Sequence, residues 1–240
     1  MTGSTKLNRT QAPTFWGVPR KSKHLSPNTS SGPHRKALSI PLTVLIRDVL
    51  KLAKTAKEVR TAIVGGGVIV DGIARRDPNF PVGLMDVLEM PSLGKTFRLV
   101  PTKTRTLYPI EISEDEKSLK ICAIRNKVSA GKSVIQYGTH DGRSIITGPE
   151  VNMSVSDSAQ IELPSQKIVK HLIMKKGSMV MVIGGKRQGE VGMLSSIKPG
   201  TVTSSRMASI EVKGNNVEIP AKLVMVVGDN KPVITVSVSL

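Results

Sequence analysis

Apolar residues stand at Leu42, Leu45, Ile46, Val49, Leu50 and Ala53. That spacing is one stripe of a helix, and Pro41 sits where a first helical position tolerates proline. Arg47, Lys51 and Lys54 fall on the opposite face. Thr55-Ala56-Lys57-Glu58 reads as a capping box: the Thr55 hydroxyl accepts from the Glu58 amide, and the Glu58 carboxylate reaches back. A second, short helix is predicted to start there, with Val59, Ala62 and Ile63 inward and Lys57 and Arg60 outward. Gly65-Gly66-Gly67 ends it, since glycine enters the left-handed region without strain. Val68-Ile69-Val70 reads as a strand, Asp71-Gly72 as a type I′ turn and Ile73 as the return strand. This stretch holds the chain to a small unit of two helices and a hairpin. Its basic outer face suits RNA.

Charge extends the same argument. The chain has 240 residues and a net charge of +17. From Met1 to Arg47 there are eight Lys or Arg residues and no acid, a pattern that fits a polyanion-binding arm. Aromatic residues are only 2% of the chain, so its cores must be aliphatic. Cys122 is the one cysteine, and His24, His34, His140 and His171 are scattered. No disulfide or zinc site within one chain is expected from that set. No apolar run approaches the roughly 20 residues of a membrane span, and the first residues lack the apolar core of a signal peptide. The expectation is a reduced, soluble, cytoplasmic protein with no cofactor, no metal and no membrane partner, and not a homo-oligomer.

Residues 1–38 are broken by Pro13, Pro19, Pro27 and Pro33 and carry Lys6, Arg9, Arg20, Lys21, Lys23, Arg35 and Lys36. They show no apolar stripe, so they are expected to be disordered alone and ordered on RNA. Phe15-Trp16 supplies the one tryptophan, which is expected to pack against a base, a ribose or a neighbouring protein.

Helix, turn, capped helix and Val68-Ile69-Val70-Asp71-Gly72 together resemble the S4-type RNA-binding domain. Arg75-Arg76-Asp77 and Phe80-Pro81-Val82-Gly83-Leu84-Met85-Asp86-Val87 are similar to the small-subunit ribosomal protein S4e family of archaea and eukaryotes. So are Ser31-Gly32-Pro33-His34, Ala12-Pro13 with Trp16, and Thr139-His140-Asp141-Gly142-Arg143. That last loop reads equally well as a plain Asp-Gly turn. Gly177 to Gly192, a glycine-punctuated hairpin with Lys186 and Arg187 at its tip, is similar to the KOW motif.

The fold expected is α+β and multidomain. A basic arm (1–41) precedes an S4-type domain (42–105), a mostly β central domain (106–170), and an SH3-like barrel with a last strand (171–240). In the central domain Leu119, Ile121 and Ala123 alternate, and Ser113-Glu114-Asp115-Glu116 reads as another capping box. About five short strands follow Met179.

Enzymatic motifs are incomplete. Gly131-Lys132-Ser133 would end a phosphate loop, but Asn126 stands where its first glycine must be. Gly142-Arg143-Ser144-Ile145 lacks the aspartate that pseudouridine synthases carry in a Gly-Arg-Leu-Asp run. The resemblance implies a non-enzymatic component of the small ribosomal subunit, bound to ribosomal RNA beside other ribosomal proteins. Alternatives are an S4-domain RNA-modifying enzyme, or a KOW-containing transcription or translation factor. RNA contact is expected from Arg9, Trp16, Arg20, Lys21, Lys23, His34, Arg35 and Lys36 in the arm. It is expected also from Arg47, Lys51, Lys54, Lys57, Arg60, Arg75, Arg76 and Arg105, and from Lys186 and Arg187.

Overall fold

Two units divide the chain: Met1–Leu99 with Leu107–Lys117, and Val100–Thr106 with Ser118–Leu240. The computed structural model describes residues 5–104, 106–131, 134–148, 151–201, 205–212 and 214–236.

In the first unit, β1 (Lys6–Asn8) pairs antiparallel with β2 (Leu25–Pro27). β3 (Ile40–Pro41) leads into α1 (Leu42–Val44). The predicted long helix then widens into a π-turn over Leu45–Val49, closed by the Leu50 amide donating to the Leu45 carbonyl at 2.9 Å. Lys51 follows at φ 55° and ends it. The wider turn breaks the 3.6-residue stripe. Leu42, Leu45 and Ile46 are buried, whereas Val49, Leu50 and Ala53 are only partly so.

The second helix forms as its sequence predicts. α2 (Ala56–Val64) is started by a complete capping box on Thr55 and Glu58. It stops at Gly66, φ 80°, where the Gly66 amide donates to the Ile63 carbonyl and the Gly67 amide to the Ala62 carbonyl. Those two bonds are a Schellman cap. β4 (Ile69–Val70) and β5 (Ile73–Ala74) make the expected hairpin, with positive φ at both Asp71 and Gly72. β6 (Pro81–Val82) pairs with β3. β7 (Val87–Met90), β8 (Lys95–Val100) and β9 (Tyr108–Glu111) complete a sheet of order β5-β4-β7-β8-β9.

The capping box expected at Ser113 does not form. The Glu116 carboxylate is drawn instead to the buried Arg98 guanidinium, 2.8 Å away. Burial lowers the Arg98 pKa, and the hydrogen bond and charge of Glu116 oppose that shift.

The N-terminal segment departs from the expected unanchored arm. Trp16 is fully buried and belongs to one core with Ile40, Leu42, Val59 and Leu88, which joins α2 and the sheet. Its indole N–H donates to the Ser39 carbonyl at 2.9 Å. Ser30 donates to Asp77, and His34 Nε2 lies 2.9 Å from both carboxylate oxygens of Asp86. The apolar anchor is one large side chain rather than a periodic stripe.

The second unit is built of β10 (Leu119–Gly131), β11 (Val134–Thr139), β12 (Ser144–Thr147), β13 (Ser158–Glu162), β14 (Ile168–Leu172), β15 (Met179–Val182), β16 (Val191–Lys198), β17 (Met207–Val212), β18 (Asn215–Pro220) and β19 (Val224–Gly228). They form two five-stranded antiparallel sheets, β12-β11-β10-β13-β14 and β18-β17-β16-β15-β19. β10 serves two partners, β13 along its first half and β11 along its second, with a register shift between Ile124 and Asn126. Alternation predicted only Leu119, Ile121 and Ala123 inward, yet Leu119 is only partly buried and Lys120, Cys122 and Ile124 are buried along with Ile121 and Ala123. That half of the strand is covered on both faces.

Candidate nucleic-acid interface

Positive side chains have three different surroundings in this protein. The first group is exposed and unpaired. Arg20, Lys21, Lys23, Arg35, Lys36, Lys51, Lys54, Lys57, Arg60 and Arg76 are all exposed. None of them forms an ion pair among the described residues. Local structure explains two of them, Lys57 and Arg60. The capping box fixes where α2 begins and buries Val59 and Ile63, which leaves Lys57 and Arg60 to water. Glu58, the one acid between Lys51 and Arg60, is already engaged. Its pKa is lowered first by the Thr55 hydrogen bond and then by the backbone amides of Lys54 and Thr55.

A second group is partly occupied. Arg47 grips Asp48 with two bonds, at 2.6 and 3.1 Å. Arg75 lies over the Phe80 ring, 4.5 Å from its centre, a cation–π contact. Arg187 pairs with Glu190 at 3.3 Å, and Lys103 reaches the same carboxylate at 3.6 Å. Lys186 beside them is exposed. Arg105, expected from the sequence to touch RNA, lies outside the described residues. Lys103 is the neighbour that the hairpin tip engages.

The hairpin tip has its own constraint. Gly189 has φ 79°, and a Cβ there would lie 2.7 Å from the Pro101 carbonyl oxygen. Both facts demand glycine.

A third group is buried, and here the expectation from sequence is corrected. Trp16 cannot stack on a base, because its ring is committed to the core and its N–H to Ser39. His34 is buried against Asp86. Arg9 is 3% exposed and lies 3.9 Å from Asp48. These three hold the segment in place.

The Thr139–Arg143 loop is a turn built around a buried carboxylate. Gly142 has a turn conformation, but Asp141 is buried and Lys120, itself buried, lies 3.0 Å from it. Arg143 donates to the same carboxylate at 2.8 Å, and the Thr139 hydroxyl donates to its other oxygen. Burial alone would raise the Asp141 pKa. The charges of Lys120 and His140 and the Thr139 bond outweigh it and hold the carboxyl well below the usual range. Cys122, His140 and Asp141 have ligand atoms within 4.8 Å of one another. However, the Asp141 oxygen nearest Cys122 already meets Lys120 and Arg143. A cation there would have to displace two others.

Among the described residues, no helix is long and apolar enough to cross a membrane.

The model of the ribosomal family S4e matches residues 93–168, an RS4NT domain model matches 1–37, and an S4 domain model matches 42–88. The small ribosomal subunit protein eS4 of Desulfurococcus amylolyticus is 36% identical, over 98% of this chain and 96% of that protein. The chain belongs to the ribosomal S4e family. Its S4e relative from Methanopyrus kandleri is 34% identical, over 96% of this chain and 94% of that one. The crystal structure of the S4e protein of Thermoplasma acidophilum superposes with a TM-score of 0.71 at 29% identity, covering 80% of this chain and 96% of that chain.

Proposed function

We propose that this S4e chain is a non-catalytic constituent of the small subunit of the cytoplasmic ribosome. Its partners are the subunit's ribosomal RNA and neighbouring ribosomal proteins. The observation that carries the RNA contact is the set of ten exposed cations, Arg20 to Arg76, with no carboxylate partner among the described residues. Phosphate oxygens are the natural counter-charges for such a set. RNA helices hide their base edges, so backbone and shape dominate recognition. Lys103, Lys186 and Arg187 form a smaller second contact at the hairpin tip. The full-length likeness to small-subunit proteins supports the assignment over an RNA-modifying enzyme or a loosely bound factor.

Co-sedimentation with small subunits tests it. Stoichiometric association that survives a high-salt wash of the assembled particle is expected. Substoichiometric, washable association would fit the factor instead and overturn this reading.

A further inference from the structure

Lysines crowd one end of β15. The Met179 amide, at the start of that strand, donates to the Asp229 carbonyl at 2.7 Å. At the other end the Gly189 amide donates to the Val182 carbonyl, so the hairpin tip with Lys186 and Arg187 lies there. Asp229 follows β19, and two lysines from separate segments share its half-exposed carboxylate. Lys170 Nζ, from β14, lies 3.2 Å from one oxygen, and Lys175 Nζ, from the turn before β15, lies 3.7 Å from the other. The Lys170 hydrogen bond, and behind it the charges of Lys170 and Lys175, lower the Asp229 pKa. Lys176 and Lys231 flank these residues in the chain, are exposed, and form no ion pair among the described residues. The turns that carry them are fixed. Gly177 has φ 88°, and the buried Ser178 closes the first turn by donating to the Ile173 carbonyl at 3.0 Å. In the second, Gly228 bridges to Pro232, and a Cβ on Gly228 would collide with the Lys231 carbonyl. Four lysines held about one carboxylate leave a local excess of positive charge.

We infer that this lysine cluster binds a further stretch of ribosomal RNA backbone by its phosphates. The inference rests on the ribosomal reading. An exposed ion pair is worth little in water, so Lys170 and Lys175 can exchange the Asp229 carboxylate for a phosphate. That carboxylate marks the place: two ammonium groups already converge on two oxygens of one anion. Lysine binds phosphate as a point charge. RNA presents its charges in a row, one per nucleotide, so Lys176 and Lys231 meet the neighbours of the first phosphate. β15 runs only from Met179 to Val182. At roughly 3.3 Å per residue its two ends stand about 10 Å apart, so the cluster and the hairpin tip meet different phosphates.

The test titrates three full-length chains with small-subunit ribosomal RNA across a salt series. They are the parent, a triple variant (Lys175→Ala, Lys176→Ala and Lys231→Ala), and Asp229→Asn. Each lost phosphate contact lowers the slope of log K against log salt by about 0.7–0.9, so the triple variant's slope should be shallower by about 2–3. Asp229→Asn removes the competing carboxylate and should bind more tightly than the parent; no gain would count against the exchange and overturn the inference. A triple variant that unfolds at the parent's temperature and gives a line parallel to the parent's also overturns it, and leaves the ribosomal reading standing. A parent whose affinity does not change with salt overturns both. Loss of the triple variant from assembled particles despite parent-like RNA binding would assign the cluster to an acidic protein instead. A second measurement needs no variant. Lys176 and Lys231 should react with acetic anhydride in the free protein and resist it in the RNA complex, read by mass spectrometry. Equal modification in both states would contradict the inference.

Discussion

The segment from Lys51 to Arg60 and the cluster around Asp141 use positive charge in opposite ways. In the first, four cations stand in water and the single acid among them is spent on a helix cap. In the second, Lys120 and Arg143 converge on one buried carboxylate, with Lys120 itself removed from water. The residue types are the same. What differs is a partner acid that only the fold supplies. The lesson is that a count of Lys and Arg locates an RNA-binding surface only after the internally paired cations have been subtracted.

Several substitutions would break or sharpen that contrast. The largest effect is expected from Asp141→Asn, which removes the charge that the buried Lys120 and Arg143 both meet. Removing one partner of a buried pair costs about 3–5 kcal/mol, so the second unit should unfold at much lower denaturant, measured by circular dichroism. Trp16→Ala should cost a comparable or slightly smaller amount, roughly 3–5 kcal/mol for a buried aromatic. A variant as stable as the parent would restore the view of the N-terminal segment as a tail ordered only by RNA.

Acid should separate the two regions next. The Asp141 pKa is lowered in the folded state. Its contribution is therefore present above the unfolded carboxylate value and is lost as pH falls below about 5. The parent should show a steeper loss of stability below that pH than Asp141→Asn does. Smallest in stability, though not in binding, is the exposed set. Replacing Lys51, Lys54, Lys57 and Arg60 with alanine should change folding by no more than about 0.5 kcal/mol each, as at ordinary surface positions.

What was legible in the sequence was local. The Thr55–Glu58 cap, the Gly66 stop and the Asp71-Gly72 turn are fixed by residues a few positions apart, and each forms as read. The Ser113 box failed because its Glu116 is claimed by Arg98, 18 residues earlier. Likewise Arg9, Trp16 and His34 looked like RNA contacts because Asp48, Ser39 and Asp86 are remote in sequence. The long helix from Leu42 failed differently. Its stripe is real for one turn, and then the backbone widens at Leu45–Val49.

The central claim is that unpaired cations on the first unit hold ribosomal RNA by its phosphates. The most direct measurement is the affinity of the parent and of the Lys51, Lys54, Lys57 and Arg60 alanine variant for small-subunit ribosomal RNA across a salt series. Each lost phosphate contact lowers the slope of log K against log salt by about 0.7–0.9, so the variant's slope should be shallower by about 3. Parallel lines for two equally folded proteins would contradict the account.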